Sequence, residues 1–412
     1  MNVSAHRPVA AYLSASYLLP RPASWPKVSL HLPLRDAAPE QVRCTLDSLA
    51  ALDYPALEVL VVDTHTTEPT LWEAAAEHCA RLGPQFRFFH LGCIPGGRAG
   101  ALNFALAETA PDATLIGLLH PGQVVRATWL RRVVPLFRQP GLGMVQGALE
   151  PLDAGEAPTR PDPLLPLDGL PLFRAEALRR ASGWDTASLC PEAALGLTLM
   201  RHGWDSAFEP EPMGRALSPE AQADWPSRQH CRVAGTVAAL RQHLGAVLLR
   251  RDRSLTASQR GHLLAVAAPA LLDALALVGV FASLACALLA LWDNAPLVPT
   301  LPLLPILLAL SLAPLLLGRS GAIWGIGRAA WQGLLGGRTS QASGRRMETV
   351  LTGLLWAAAV ALALAKPWGM QETLGWAGLL LMQSLPGLMA LAGPARPTKT
   401  QRRRAAFRRH AA

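Results

Sequence analysis

The sequence predicts an α/β domain followed by an all-α membrane region, on three observations. Residues 27–150 alternate short β-rich runs with helical patterns. From residue 262 onward the chain turns to long apolar stretches. Positive charge gathers in particular connectors and at the C-terminal end instead of spreading evenly. With 412 residues, 51% of them hydrophobic, the chain is too apolar for a purely soluble protein, while its first half is too charged for a pure membrane bundle. The length suits two or three domains.

Residues 1–26 read as a lead-in: their apolar runs are short, broken by prolines and unlike a signal peptide. A domain over 27–218 follows. "KVSLHLPL" (27–34) is a strand. Residues 40–52 are an amphipathic helix, with Val42, Leu46, Leu49 and Leu52 at helical spacing. "LEVLVVDT" (57–64) is an apolar strand that reaches Asp63, and a helix then runs to Gly83. Strand 86–91, helix 97–109, strand 114–119, helix 127–137 and strand 143–149 continue the alternation. Strands separated by helices predict a parallel sheet covered on both faces, and unalternating apolar strands fit burial on both sides. The proline-rich stretch 150–175 predicts a loop. Pro191 and Gly203 frame the next helix, and "WDSAFEPEP" is extended.

Residues 219–261 carry Arg228, Arg232, Arg241, Arg250, Arg251 and Arg253 on amphipathic helical patterns, which suits helices lying against lipid headgroups. The region 262–393 holds four apolar stretches, 263–291, 297–317, 349–365 and 373–392, each at or near the length that crosses a bilayer. Residues 320–335, short and bearing tryptophans, read as an interfacial helix. The connector 318–347 is rich in arginine, whereas the connectors near 292–297 and 366–372 are not. By the positive-inside rule the first domain, the middle connector and the tail 394–412 face the cytoplasm. The tail, from residue 395 on, has seven Lys and Arg and no acid. Such a tail binds nucleic acid in other settings; beside a membrane segment it points to anionic lipid, and no nucleic-acid partner is expected. Asp273, the acid inside an apolar stretch, is either functional or sits at the water boundary. The six cysteines form no C-x-x-C pair and no zinc spacing, which fits reduced thiols.

The chemistry is concentrated at strand ends. The apolar run 115–119 stops at His120-Pro121-Gly122. Ligands of an α/β sheet gather at strand C-termini, so this tip is a candidate site with an unusual set of side chains. Asp63 ends the second strand, where it either accepts from a nucleotide base or ribose or caps local structure. Gly96-Gly97-Arg98 opens a helix, either as a surface turn or as a phosphate-binding helix N-terminus.

The segments "VSLHLPLRDAAPEQVRCTLDSLAALDYPALEVLVVDT", "GRAGALNFALAETAPDATLIGLL", "GWD", "LGLTLMRHGW", "AFEPEPMGRALSPE" and "RQHCRV", in that order, resemble the family 2 glycosyltransferases of bacterial inner membranes, in particular the cellulose-synthase-like and glucan-synthase branch. The resemblance spans about 27 to 240, and the four-span half fits it. It implies a GT-A-like (Rossmann-like) α/β cytoplasmic domain with a UDP-sugar across the strand ends and Mg²⁺ or Mn²⁺ on its diphosphate. It further implies a glycan acceptor, contact with membrane lipid and an active synthase subunit as a possible partner. Asp63 matches the acid that holds uracil, and Arg98 the cation beside the phosphates.

Departures accompany the resemblance. The metal-binding Asp-x-Asp falls on His120-Pro121-Gly122, whose side chains offer no hard oxygen ligand. The first loop's Asn-Glu pair falls on Asp36-Ala37. The base motif Thr-Glu-Asp falls on Cys190-Pro191-Glu192; Glu192 is the remaining candidate base, or a glutamate serving its helix's first turn. Gln-x-x-Arg-Trp falls on Gln229 to Val233, so Gln229 and Arg232 remain and the tryptophan is gone. The expectation is a relative of enzymes of β-glucan or cellulose-like polysaccharide synthesis with impaired or lost catalysis. The alternatives are an inverting UDP-hexose transferase with a metal-independent or rebuilt site, and a scaffold or regulatory subunit of an active synthase.

Overall fold

The computed structural model describes residues 24–151, 162, 164–167, 169–216, 225–243, 254–293, 300–316, 323–336, 344–365 and 370–392. The chain divides into two compact units, one built on residues 24–216 and the other on 225–243 with 261–392. The lead-in to residue 23, most of the proline-rich stretch, residues 244–253 with Arg250, Arg251 and Arg253, the connector residues 294–299, 317–322, 337–343 and 366–369, and the basic tail lie outside the described residues.

The first unit is an α/β domain around one eight-stranded sheet. Strands β1 (Lys27–Leu34), β2 (Leu57–Asp63), β3 (Phe86–His90) and β4 (Ala113–Leu118) are parallel neighbours in the order β3-β2-β1-β4. They are joined by helices α1 (Pro39–Ala50), α2 (Pro69–Leu82) and α3 (Gly97–Glu108). Prolines at the first turns of α1 and α2 suit positions whose N–H has no partner within the helix. Val28, Leu30, Leu32, Val59, Val61, Leu46 and Leu49 meet in the main core of this unit.

Beyond β4 the sheet departs from the expected all-parallel arrangement. The two-residue strand β5 (Val124–Val125) and a short helix α4 (Trp129–Val133) precede the long strand β6 (Leu142–Pro151). Strand β7 (Leu170–Arg174) lies inside the stretch expected to be a loop, and it runs antiparallel to both β4 and β6. Helices α5 (Ala175–Arg180) and α6 (Pro191–Arg201) follow, and β8 (Asp205–Ala216) pairs parallel with β6 and antiparallel with β5. β7 is short, contains Pro171 and is followed directly by α5, so neither its length nor its composition announced a central strand. The helix expected at 127–137 keeps only five α-helical residues and continues as a 3₁₀ turn, Val134–Arg138, because Pro135 cannot donate the next α-helical bond. Arg132 ties α4 to β8 through Glu209, which is fully buried, and through Glu211.

The second unit is all helical. Its members are α7 (Trp225–Gln242), α8 (Ala257–Asp293), α9 (Thr300–Leu316), α10 (Ile323–Leu335), α11 (Gly344–Ala365), α12 (Met370–Gln383) and α13 (Leu385–Ala392). Two stretches, Ala257–Trp292 and Glu348–Ala365, are long and apolar enough to cross a membrane. The stretch expected as a fourth span is divided at Ser384, where Pro386 leaves the carbonyl of residue 382 without its helical donor. Among the described residues, every exposed large hydrophobic side chain lies between Leu264 and Met389.

Two expectations for this unit change. The helix read as interfacial, α10, is a core element: Ile323, Trp324, Ala329 and Ala330 are buried. It approaches its neighbours at backbone distance, since a β-carbon on Gly333 would collide with the Ala234 carbonyl of α7, and one on Gly327 with the Asp273 carbonyl of α8. Trp324 is therefore a packing residue, and Trp331 donates from Nε1 to the Ala274 carbonyl of α8 at 3.0 Å. Asp273 is fully buried, not at a water boundary.

Gln383 joins three helices of this unit. Its Nε2 donates to Ser283 Oγ of α8 at 2.9 Å and to Ser311 Oγ of α9 at 2.8 Å. Both serine hydroxyls spend their own protons on carbonyls one turn back, so they can only accept from the amide, which fixes its orientation. Gln383 Oε1 is buried without a hydrogen-bond partner among the described residues. Replacing Gln383 by leucine loses two hydrogen bonds but also removes that orphan. Gln383→Leu is therefore expected to cost under about 1 kcal/mol, against about 2–4 kcal/mol for the cavity left by Gln383→Ala. Thermal unfolding of the two detergent-purified variants checks the order.

His31, at the centre of β1, is fully buried. Its Nε2 faces Thr109 Oγ1 at 2.9 Å, and that hydroxyl donates to the Ala105 carbonyl, so Nε2 carries the proton and donates. Burial lowers its pKa to about 3. A pKa depressed in the folded state means that the unfolded chain binds the proton first. Stability is then full above the unfolded value near 6.5 and falls as the pH drops toward 3. Going from pH 7 to pH 5 is expected to cost about 2 kcal/mol through this residue. The acid-induced drop in Tm should be smaller in His31→Gln, measured by thermal unfolding at both pH values.

Candidate functional site

The register of the parallel strands brings the C-terminal ends of β1, β2 and β3 level, Leu34 pairing with Asp63 and Asp63 with His90, while β4 ends at Leu118, opposite His31. Asp36 follows β1, Asp63 ends β2, Arg98 opens α3 after β3, and His120 follows β4. Between β1 and β4 the strand order reverses, the switch point at which open α/β sheets bind ligands. The sequence-predicted residues of this unit thus issue from one edge of the sheet.

Asp63 is only 2% exposed, and both of its oxygens are engaged. Thr66 Oγ1 donates to Oδ1 at 2.7 Å, and His90 Nδ1 lies 2.8 Å from Oδ2. Thr66 Oγ1 also accepts the Asp36 backbone N–H at 3.0 Å, joining the two loops. The ring of His90 stacks on Trp72 with centroids 4.4 Å apart. The Asp36 side chain is exposed and lies 4.0 Å from Arg35 Nε. Sequence reading missed Thr66, His90 and Trp72. Thr66 had a usable signal, a hydroxyl three residues after a strand-end acid, whereas His90 is placed by strand pairing and Trp72 by the stacking of α2 against it.

Arg98 is the hub of the other half of the edge. Its Nε donates to Glu192 Oε1 at 2.7 Å, and its Nη2 faces His120 Nδ1 at 3.0 Å. An arginine has only donors, so the imidazole nitrogen facing it is an acceptor. Glu192 Oε2 receives the Cys190 thiol at a sulfur distance of 3.8 Å. Glu192 stands in the first turn of α6, next to Pro191. Glu192 and His120, 94 and 22 residues from Arg98 in sequence, therefore form one cluster with it.

His120-Pro121-Gly122 forms a tight turn with proline in its second position and Gly122 at φ +89°, as a type II turn demands. The Gln123 N–H closes it onto the His120 carbonyl at 3.1 Å. Thr45 Oγ1 accepts the Gly122 N–H at 2.9 Å, and Gln123 Oε1 accepts the His120 N–H at 2.9 Å. The tip is a built structure anchored to α1.

The donor set does not fit a divalent metal on a diphosphate. Mg²⁺ and Mn²⁺ need several hard oxygens in open positions. Here the nearby carboxylate is on an arginine, the imidazole faces that arginine, and proline and glycine supply no ligand. Among the described residues no group of three His, Cys, Asp or Glu side chains could hold a metal ion. Gln229 and Arg232 are half-buried on α7 of the second unit, three residues apart and so on one side of that helix. Their neighbour His230 bonds Gln332 of α10 at 2.6 Å.

Residues 29–197 match the family model described as "Glycosyl transferase family 2". The first unit accordingly carries a GT-A-like α/β domain with a mixed sheet. No curated protein matches the chain. Among solved structures it is similar to "Mannosyltransferase PcManGT from Pyrobaculum calidifontis in complex with GDP-Man and Mn2+", at 19% identity and TM-score 0.49, covering 90% of this chain and 89% of that one. It is also similar to TarS 1-349 of S. aureus in complex with UDP, at 15% identity and TM-score 0.38, covering 76% and 93%. The same fragment in complex with UDP-GlcNAc matches at 13% identity and TM-score 0.39, again over 76% and 93%.

The loop that delivers Arg98 depends on Gly96, at φ +79°. A β-carbon there would be strained and would lie 2.7 Å from the Thr186 side chain. Gly96→Ala is expected to cost about 1–3 kcal/mol, the strained-backbone range, read as a Tm lower by several degrees in thermal unfolding.

Proposed function

We propose that this chain is a membrane-embedded relative of the family 2 glycosyltransferases that holds a UDP-sugar at the sheet edge without transferring the sugar. One observation carries the reading: the positions that would present metal-binding acids form a His-Pro-Gly turn, and the nearby Glu192 is paired with Arg98. Without an ion, the charge developing on a leaving nucleotide diphosphate falls to side chains such as Arg98, which is already paired with Glu192. Electrostatic stabilisation of that kind is worth several kcal/mol per donor or ion, so its loss removes orders of magnitude in rate. Asp36 and Asp63 lie on the nucleoside side of the site, Arg98 on the phosphate side, and Gln229 and Arg232 are assigned to the acceptor.

The setting is the bacterial inner membrane. Exposed large apolar side chains, confined among the described residues to 264–389, suit contact with lipid, and the arginine-rich connectors and tail suit a cytoplasmic first unit. Four spans remain the proposed count. The role we assign is that of a scaffold or regulatory subunit beside an active synthase making a β-glucan or cellulose-like polymer. A second reading, an inverting UDP-hexose transferase with Glu192 as base at a metal-free site, is favoured by the placing of Glu192 and His120 on one arginine.

Calorimetric titration of the detergent-purified protein with UDP, with and without Mn²⁺, together with an assay for UDP release from UDP-glucose, separates these readings. The expected result is binding that Mn²⁺ leaves unchanged within about twofold, with no turnover above the uncatalysed rate. Binding that requires Mn²⁺ overturns the metal-free site, and metal-free turnover abolished in Glu192→Gln establishes the second reading.

A further inference from the structure

We propose that Glu192 is a resident anion seated on Arg98, and that the diphosphate of a nucleotide arriving without a metal ion displaces it. The inference rests on the metal-free nucleotide site argued above, and adds what occupies that site at rest and what must move.

The argument starts from the guanidinium. Carboxylates and phosphates recognise its planar fork of N–H groups in the same way, by charge-assisted and often paired hydrogen bonds. On Arg98, Nε is taken by Glu192 Oε1 at 2.7 Å and Nη2 faces the His120 imidazole at 3.0 Å. The Arg98 side chain remains 34% exposed, whereas that of Glu192 is 12% exposed, so an incoming anion meets the arginine from its open side. Arg98 and Glu192 cancel each other's charge, so the resting pair offers little net attraction to a diphosphate.

Glu192 also has somewhere to go. It lies in the first turn of α6, where the helix dipole favours a negative charge without the arginine. Cys190, just before the same helix, donates its thiol to the second oxygen of Glu192. The pair is thus an exchangeable contact: a ligand with two or more anionic oxygens can outbid one carboxylate, and the carboxylate keeps a favourable field after release. A nucleoside diphosphate meets that requirement, and a nucleoside does not.

Metal-free calorimetry on the full-length detergent-purified protein, using UDP, inorganic pyrophosphate and uridine as probes, tests the exchange. Glu192→Gln and Glu192→Ala are each expected to bind UDP at least tenfold more tightly than the parent protein. Uridine binding should stay within twofold, and the gain should vanish in Arg98→Gln combined with Glu192→Gln. Pyrophosphate gaining as much as UDP places the whole effect on the diphosphate; a gain for UDP alone places part of it on the nucleoside's orientation, and both support the exchange. Equal UDP affinity in the parent and both Glu192 variants, with loss in Arg98→Gln, overturns the resident anion and leaves the nucleotide site standing. No metal-free UDP binding in any variant overturns both. Thermal unfolding of each variant checks that it folds.

Discussion

Everything at the candidate site depends on the register of four parallel strands. Because β1, β2, β3 and β4 run in one direction, the first three ending level and β4 ending at Leu118 opposite His31, the residues just past each strand leave the sheet at one edge. Backbone hydrogen bonding sets that alignment, and the apolar faces of Leu30, Leu32, Val59 and Val61 hold it in place. Side chains then need only short reaches to meet. Arg98 finds Glu192 and His120, and Asp63 finds Thr66 and His90, because the sheet has already done the positioning.

The parallel half of this sheet was legible in the sequence for a physical reason. Its strands are buried on both faces and separated by helices of ordinary length, so apolar runs and helical spacing alternate plainly. The second half was not. β7 is five residues long, carries Pro171 and emerges from a proline-rich stretch, and its antiparallel direction comes from long-range pairing with Ile116 and Met144 through Phe173. Local composition carries no trace of such pairing. In the helical unit, the shortness and the tryptophans of α10 suggested an interfacial helix. The helix serves instead for close packing, with glycines where backbones touch and Trp324 filling the interior.

The candidate site shows the same division. Arg98, His120 and Glu192 were each identifiable from local signals: a glycine pair, a strand end and a helix first turn. Their union on a single guanidinium was not, because it depends on where β7 and α6 place residue 192 relative to β4. Asp63 was identifiable as a strand-end acid. Its near-complete burial and its two hydrogen-bond partners came only with the loop geometry.

The turn at residues 120–122 also limits what this tip can carry. Proline sets the entry to it, Gly122 sits in the left-handed region, and Thr45 and Gln123 are its supports. An aspartate placed at residue 122 would take a backbone that side chains rarely adopt, and one placed at residue 120 would face Arg98. The shape of the backbone, as much as the choice of side chains, thus stands against a pair of chelating acids at this strand end.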